Sequence, residues 1–318
     1  NKTYIYLAIR RPDGYVGKPR TATELFAMDT GNASATESFT SGFPVDFTLV
    51  REYAGSGNWD ASGRLIQGKY LRTNSTDAEG SYSHYAFDQP TGFGTTTDWS
   101  SVMFAWMWKR HAGFDVVAYK GDGVAGRQIR HSLSKSPEMV WIKNRDSAEF
   151  WAVGHKGLDG GNEPWTHYLQ LNSSTVEDDA STVFNDTAPT TTVFSVGNDG
   201  SVNSSGNDYI AMLFASVDGI SSVGSYSGNN SSSGPTVTTG FSPRFILIKR
   251  ANGSDNWFIF DTVRGINNSG TDARLKLDES GAQSTLVDWL SISSTGFTLN
   301  TSDTGVNASS NYLYYAHA

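Results

Sequence analysis

The sequence has no cysteine. That excludes disulfides, thiolate metal sites and cysteine nucleophiles. A secreted domain of this size would often carry disulfides, so their absence favours a particle assembled inside a cell. Long apolar runs are also missing: none reaches the roughly 18 residues a membrane helix needs. Charge is scarce at 18% of residues, the net charge is −8, and no run of Lys and Arg interrupts the acidic balance. Such a surface repels phosphate backbones and anionic lipid, so neither a nucleic-acid partner nor membrane insertion is expected. The chain opens at Asn1 without a methionine or a signal-peptide pattern, which leads us to expect a fragment of a longer protein.

What the sequence does have is 33 glycines, many Ser, Thr and Asn between apolar runs, and aromatic residues at 13%. Short strands joined by many turns have this composition; helices and disordered chains do not.

One unit of about a hundred residues recurs three times. A strand follows a Pro step in each copy: Phe43-Pro44-Val45-Asp46-Phe47-Thr48-Leu49-Val50-Arg51, then Ser136-Pro137-Glu138-Met139-Val140-Trp141-Ile142-Lys143, then Ser242-Pro243-Arg244-Phe245-Ile246-Leu247-Ile248-Lys249. A basic residue ends each one. A Trp comes next, at Trp59, Trp151 and Trp257, then a short strand at Tyr70-Leu71, Tyr168-Leu169-Gln170-Leu171 and Arg274-Leu275-Lys276-Leu277. Phe93, Phe194 and Phe297 mark a later strand, and an apolar strand such as Tyr209-Ile210-Ala211-Met212-Leu213-Phe214 closes each unit. Tyr4-Ile5-Tyr6-Leu7-Ala8-Ile9 matches that closing strand, so an extra N-terminal strand precedes the first full copy.

The fold expected is therefore all-β: three tandem β-sandwich (jelly-roll-like) repeats plus an extra N-terminal strand. The boundaries are 1–14 for the lone strand, 15–112 for the first repeat, 113–218 for the second and 219–318 for the third. Continuous apolar runs such as Phe245-Ile246-Leu247-Ile248 suit strands covered on both faces, whereas Val45-Asp46-Phe47-Thr48-Leu49 alternates as a half-exposed strand should. The recurrent Trp59, Trp151 and Trp257 read as core. Trp165, Trp289 and Tyr82 do not recur and are the better candidates for exposed contacts, although packing is the first reading for these too.

Chemistry is hard to find. The six histidines, His84, His111, His131, His155, His167 and His317, form neither HxH nor HExxH spacing. His155 and His167 flank a glycine-rich loop, and Glu177-Asp178-Asp179 is an acidic run without the spacing of a calcium loop. Asp122, Asp146, Asp199 and Asp303 sit among turn residues, where a carboxylate bonds nearby backbone N–H groups. Gly121-Asp122-Gly123-Val124-Ala125-Gly126 matches a dinucleotide-loop string, but the adjoining Arg127-Gln128-Ile129-Arg130-His131 reads as a strand, so a hairpin turn is expected. Sequons at Asn172, Asn203 and Asn307 reflect the Asn/Ser/Thr-rich composition. No catalytic, cofactor-binding or metal residue is assigned, no cofactor is expected, and the ligand-binding residues are unknown.

Four segments carry a family resemblance: Tyr4-Ile5-Tyr6-Leu7-Ala8-Ile9-Arg10-Arg11-Pro12-Asp13-Gly14, Trp106-Met107-Trp108-Lys109-Arg110-His111-Ala112-Gly113-Phe114, Asn185-Asp186-Thr187-Ala188-Pro189, and Gly240-Phe241-Ser242-Pro243-Arg244-Phe245-Ile246-Leu247-Ile248-Lys249-Arg250. These resemble the repeated β-domain of virion and tail-fibre-like proteins of marine bacteriophages of the cyanophage type. The resemblance implies a virion location and a non-enzymatic role as a tail-fibre or surface-appendage component, with host recognition as a further role. It also implies partners among other virion proteins and copies of the chain itself, as a homotrimer, with host surface polysaccharide as a ligand. A carbohydrate-binding β-sandwich module and a polysaccharide depolymerase are the alternative readings.

Overall fold

A computed structural model describes residues 21–268 and 270–318. The lone strand expected at residues 4–9 lies outside the described residues. The described chain is almost wholly antiparallel β-structure, with helical turns of only four residues at Ser181–Phe184, Gly200–Asn203 and Thr304–Asn307. The architecture is of the β-sandwich type.

Three main sheets succeed one another along the chain. The first runs in the order Phe26–Thr30, Met103–Trp108, Phe47–Glu52, Asp60–Gly63, Lys69–Arg72, Gly80–Ser81. The second runs Phe114–Lys120, Asp208–Phe214, Met139–Asn144, Ala152–His155, His167–Gln170, Asp178–Asp179. The third runs Ser221–Ser227, Asn311–His317, Phe245–Arg250, Phe258–Asp261, Arg274–Lys276. Smaller sheets cover the outer face of each, pairing Phe39–Thr40 with Gly92–Phe93, Arg127–Arg130 with Val193–Val196, and Gly296–Leu299 with both Thr236–Thr238 and Leu290–Ser293.

The registers of the three sheets are equivalent. Arg51 pairs with Phe104, Lys143 with Ile210, and Lys249 with Leu313. Val50 pairs with Asp60, Ile142 with Ala152, and Ile248 with Phe258, so Trp59, Trp151 and Trp257 each immediately precede a matching pair.

The sheets do not stack end to end; they close into a ring. Their inner faces share one core, containing Leu49, Trp59, Trp106 and Trp108 from the first, Trp141, Trp151, Met212 and Phe214 from the second, and Leu247, Trp257, Leu313 and Tyr315 from the third. Each outer face packs into a core of its own. Every main sheet is thus apolar on both sides, which explains the unbroken apolar runs. It also corrects the reading of Val45 to Leu49 as half-exposed. Thr48 is fully buried, and its hydroxyl donates to Trp106 O at 3.0 Å.

Two rings of hydrogen bonds close the structure. Trp59 Nε1 donates to Lys276 O at 2.7 Å, Trp257 Nε1 to Gln170 O at 2.9 Å, and Trp151 Nε1 to Arg72 O at 2.8 Å. The first sheet thereby bonds the third, the third the second, and the second the first. The backbone repeats the circuit through Gln283 N to Tyr53 O, Glu177 N to Ala251 O, and Glu79 N to Arg145 O, at 2.8–2.9 Å. Each Trp is fixed at its own backbone as well, its N–H donating to Asn74, Asn172 or Asp278.

Close backbone approach requires Gly31, Gly121 and Gly228 at the ends of the three opening strands: a Cβ there would overlap the carbonyl oxygen of Trp99, Ser204 or Ala308 respectively. The loop from Gly121 to Gly126 is not a hairpin turn. It carries the chain from the second main sheet, where Phe114–Lys120 pairs with Asp208–Phe214, to the smaller sheet, where Arg127–Arg130 pairs with Val193–Val196.

Candidate functional site

The buried charges are used in construction. Arg51, Lys143 and Lys249 end equivalent strands and are fully buried. The Arg51 guanidinium donates to Glu279 O at 2.9 Å and Ser280 O at 2.8 Å, across the seam between the first and third sheets. Lys249 Nζ reaches Asp255 O at 2.7 Å and, across the next seam, Ser174 O at 3.3 Å. Lys143 Nζ donates to Asn144 O at 2.7 Å. Burial pulls both lysines down to about 8 and Arg51 down to about 10. Each basic strand end noted in the sequence therefore satisfies carbonyls, at two of the three positions on the neighbouring sheet. Asp261 and Arg264 pair at 2.6 Å with both side chains buried, and Asp261 also accepts Trp106 Nε1 at 3.0 Å, tying the third sheet to the first.

The histidines scatter. His155 is buried, with Nδ1 accepting from Gly157 N at 3.0 Å, while His167 is half-buried with Nδ1 2.7 Å from the Thr166 hydroxyl. His111 and His317 do meet, with ring centroids 6.1 Å apart. Both are buried, and the Nε2 of each lacks a hydrogen-bond partner. Burial drives His111 and His155 down to about 3 and His317 well below its ordinary value, so all three are neutral at pH 7. Among the described residues no three His, Asp or Glu side chains gather as metal ligands. In the acidic run, Glu177 Oε2 accepts from Asp159 N at 2.7 Å, and Asp178 and Asp179 form an edge strand against Tyr168 and His167.

Turn formation accounts for the other acidic candidates. Asp199 and Asp303 cap the helical turns, accepting from Ser201 N and Gly305 N at 2.8 Å. Asp122 accepts from Val124 N, and Asp146 from Asp208 N. Asn203 and Asn307 are fully buried inside matching turns, each with three acceptors within hydrogen-bond distance of the two N–H donors on Nδ2, so neither sequon presents its side chain to solvent.

Asp60 is the carboxylate most relevant to a hydrolase. Burial pushes it up to about 6, against the Tyr85 hydroxyl that donates to it at 2.8 Å and Arg72 at 3.8 Å. A glycosidase needs a second carboxylate across a cleft. Asp60 instead faces a buried tyrosine and a guanidinium.

Trp165 and Trp289 are buried in the outer cores, in keeping with packing as their first reading. Trp165 packs edge-on against Phe184, and Trp289 lies over Arg274. Tyr82 is half-buried against His84 and Tyr85.

Two of the grooves lined by described residues bear on function. One, of about 380 Å³, lies where the first sheet meets the second, lined by Leu65, Arg110, Val116, Arg130, His131 and Ser132. Arg110, paired with Asp115 and donating to the Ser132 hydroxyl, and Arg130 are both exposed cations at this groove. The other, of about 200 Å³, lies beside the seam of the second and third sheets, lined by Tyr168, Gln170, Thr175, Val176, Glu177 and Asp178. The Tyr168 ring stacks on Phe150 with centroids 5.4 Å apart and planes 25° apart, both rings half-buried. No composition or spacing signal marks this groove; only alignment of the three repeats singles out Tyr168.

Residues 25–318 match the model of a family described as a domain of unknown function, DUF7483, and the chain belongs to that family. No curated protein and no solved structure matches the chain.

Proposed function

We propose that this member of the family is a non-enzymatic structural protein of a phage particle, a tail-fibre or surface-appendage component with a role in host recognition. The observation that carries the reading is the cyclic closure of the three sheets. A ring in which each sheet hydrogen-bonds both others commits its buried charges and indole N–H groups to rigidity, as a load-carrying or display element requires. Aromatic packing around one core serves the same end. The segments that resemble phage virion proteins supply the location. Virion proteins and further copies of the chain, three in the simplest arrangement, are the partners in this reading.

A sugar-binding role is the second reading, favoured by the half-buried Tyr168 ring beside the smaller groove. Depolymerisation is the third, and Asp60, a buried carboxyl raised to about 6, is the candidate acid for it. Imaging of intact phage particles carrying a tagged copy tests the proposal: density for a three-lobed body on the tail or an appendage is expected. Exclusion of the protein from particles overturns the reading. So does cleavage of a surface polysaccharide by the purified chain that disappears in Asp60→Asn.

A further inference from the structure

We infer that the groove beside Tyr168 binds a single saccharide ring that carries no anionic substituent. The inference rests on the host-recognition reading above and names the site through which it would act.

The threefold symmetry of the repeats breaks at this groove. Tyr70, Tyr168 and Arg274 occupy equivalent positions, because Arg72, Gln170 and Lys276, two residues on, pair with Asp60, Ala152 and Phe258 respectively. In the first sheet, Tyr70 pairs with Gly80, whose backbone lies so close to the ring that a Cβ would overlap it, so the strand Gly80–Ser81 covers that site. In the third sheet, the Arg274 guanidinium fills the site, 4.6 Å from the Phe258 ring and 4.3 Å from the Trp289 ring. In the second sheet, the residue opposite Tyr168 is the exposed Asp178, and a groove of about 200 Å³ remains open.

The lining fits a sugar. A tyrosine ring backed by Phe150 offers a fixed apolar face to the C–H face of a pyranose. Asp178 supplies acceptor oxygens at the rim and Gln170 both donors and acceptors, the groups that read ring hydroxyls. The size admits one ring, being below the roughly 300 Å³ at which pockets for drug-sized ligands begin. Glu177 and Asp178 stand at the groove, so a carboxylate or sulfate on the sugar would meet like charge. The walls are pre-formed. Gln170 O is bonded by Trp257 and the Glu177 N–H by Ala251 O, so the groove is braced by the ring-closing contacts of the second and third sheets.

Saturation-transfer NMR with the full chain and six probes tests this: D-glucose, D-galactose, D-mannose, N-acetyl-D-glucosamine, D-glucosamine and D-glucuronate. Saturable binding of at least one of the first five is expected, with none for glucuronate. Affinity should fall about tenfold or more in Tyr168→Ala, hold within about twofold in Tyr70→Ala, and be blocked in Val176→Trp, which fills the groove from an exposed position. Absence of saturable binding to all six, preference for glucuronate, or binding indifferent to Tyr168→Ala and Val176→Trp would overturn the inference. Adhesion of the labelled chain to host cells separates this site from the wider proposal. Adhesion that survives Val176→Trp removes the site and leaves the recognition role; sugar binding without adhesion does the reverse.

Discussion

Acid should unfold this protein, and the buried histidines set the range. His111 and His155 titrate near 3 in the folded chain because burial disfavours their charged forms, against about 6.5 in the unfolded chain. The unfolded state therefore binds more protons between those limits. The stability at stake is fully present above about pH 6.5 and is lost as pH falls toward about 3. Each histidine contributes a slope of about 1.4 kcal/mol per pH unit, so the two together cost roughly 5 kcal/mol at pH 4.5, two units below the unfolded value. Asp60 acts in the opposite sense. Its folded value of about 6 lies above the unfolded one, so protonation between pH 6 and 4.5 returns about 2 kcal/mol. His317 is shifted in the same direction as His111, with His111 beside it and Arg244 near it, and adds to the loss. Burial raises Asp29, Asp272 and Asp278 as it does Asp60, and they offset part of the His317 loss. A net loss of about 3 kcal/mol is large against a typical total of about 5–15 kcal/mol. Urea denaturation followed by tryptophan fluorescence at pH 7 and pH 4.5 measures it. The pH difference should shrink by about 2–3 kcal/mol in His155→Asn, whatever that substitution costs at pH 7. Equal stabilities at the two pH values, or a pH difference untouched by the substitution, would refute the reasoning.

Alkaline conditions should have the opposite effect. Lys143 and Lys249 titrate near 8 when folded and higher when unfolded, so stability should rise from about pH 8 to about pH 10, by up to about 3 kcal/mol for each lysine. Above that range ionisation of the unfolded chain's tyrosines should reverse the gain, because burial holds Tyr85, Tyr119 and Tyr226 neutral in the fold; chemical denaturation across pH 7–11 should find the maximum near 9–10. Trp151→Phe keeps a ring but strips Arg72 O of its donor, and should cost about 1–3 kcal/mol, against about 3–5 kcal/mol for Trp151→Ala. The same pair of substitutions at Trp59 and Trp257 should give similar values, and a near-neutral result at any one of them would break the equivalence.

Much of the β-structure could be read from the residues. Alternating turn and apolar segments located the main strands, and the recurrence of Trp59, Trp151 and Trp257 marked residues that are buried. Their hydrogen-bond partners could not be read, because Trp59 bonds a carbonyl 217 positions away and no local pattern encodes that pairing. Thr48 misled for a related reason: alternation signals exposure only when the second face is uncovered, and here a second layer buries it. Trp165 and Trp289 lack counterparts at their positions, yet each fills an outer core, since outer layers need aromatic volume as inner ones do. The groove beside Tyr168 was illegible because it is a difference between copies, visible only once Gly80 and Arg274 are seen occupying the matching space.

The central claim is that the three sheets form one cooperative body around a shared core, and differential scanning calorimetry of the full chain tests it most directly. A single transition is expected, with calorimetric and van't Hoff enthalpies equal, as two-state unfolding requires, and Trp257→Ala should lower the whole transition. Separate transitions for the three units, with Trp257→Ala shifting one and leaving the others in place, would contradict it.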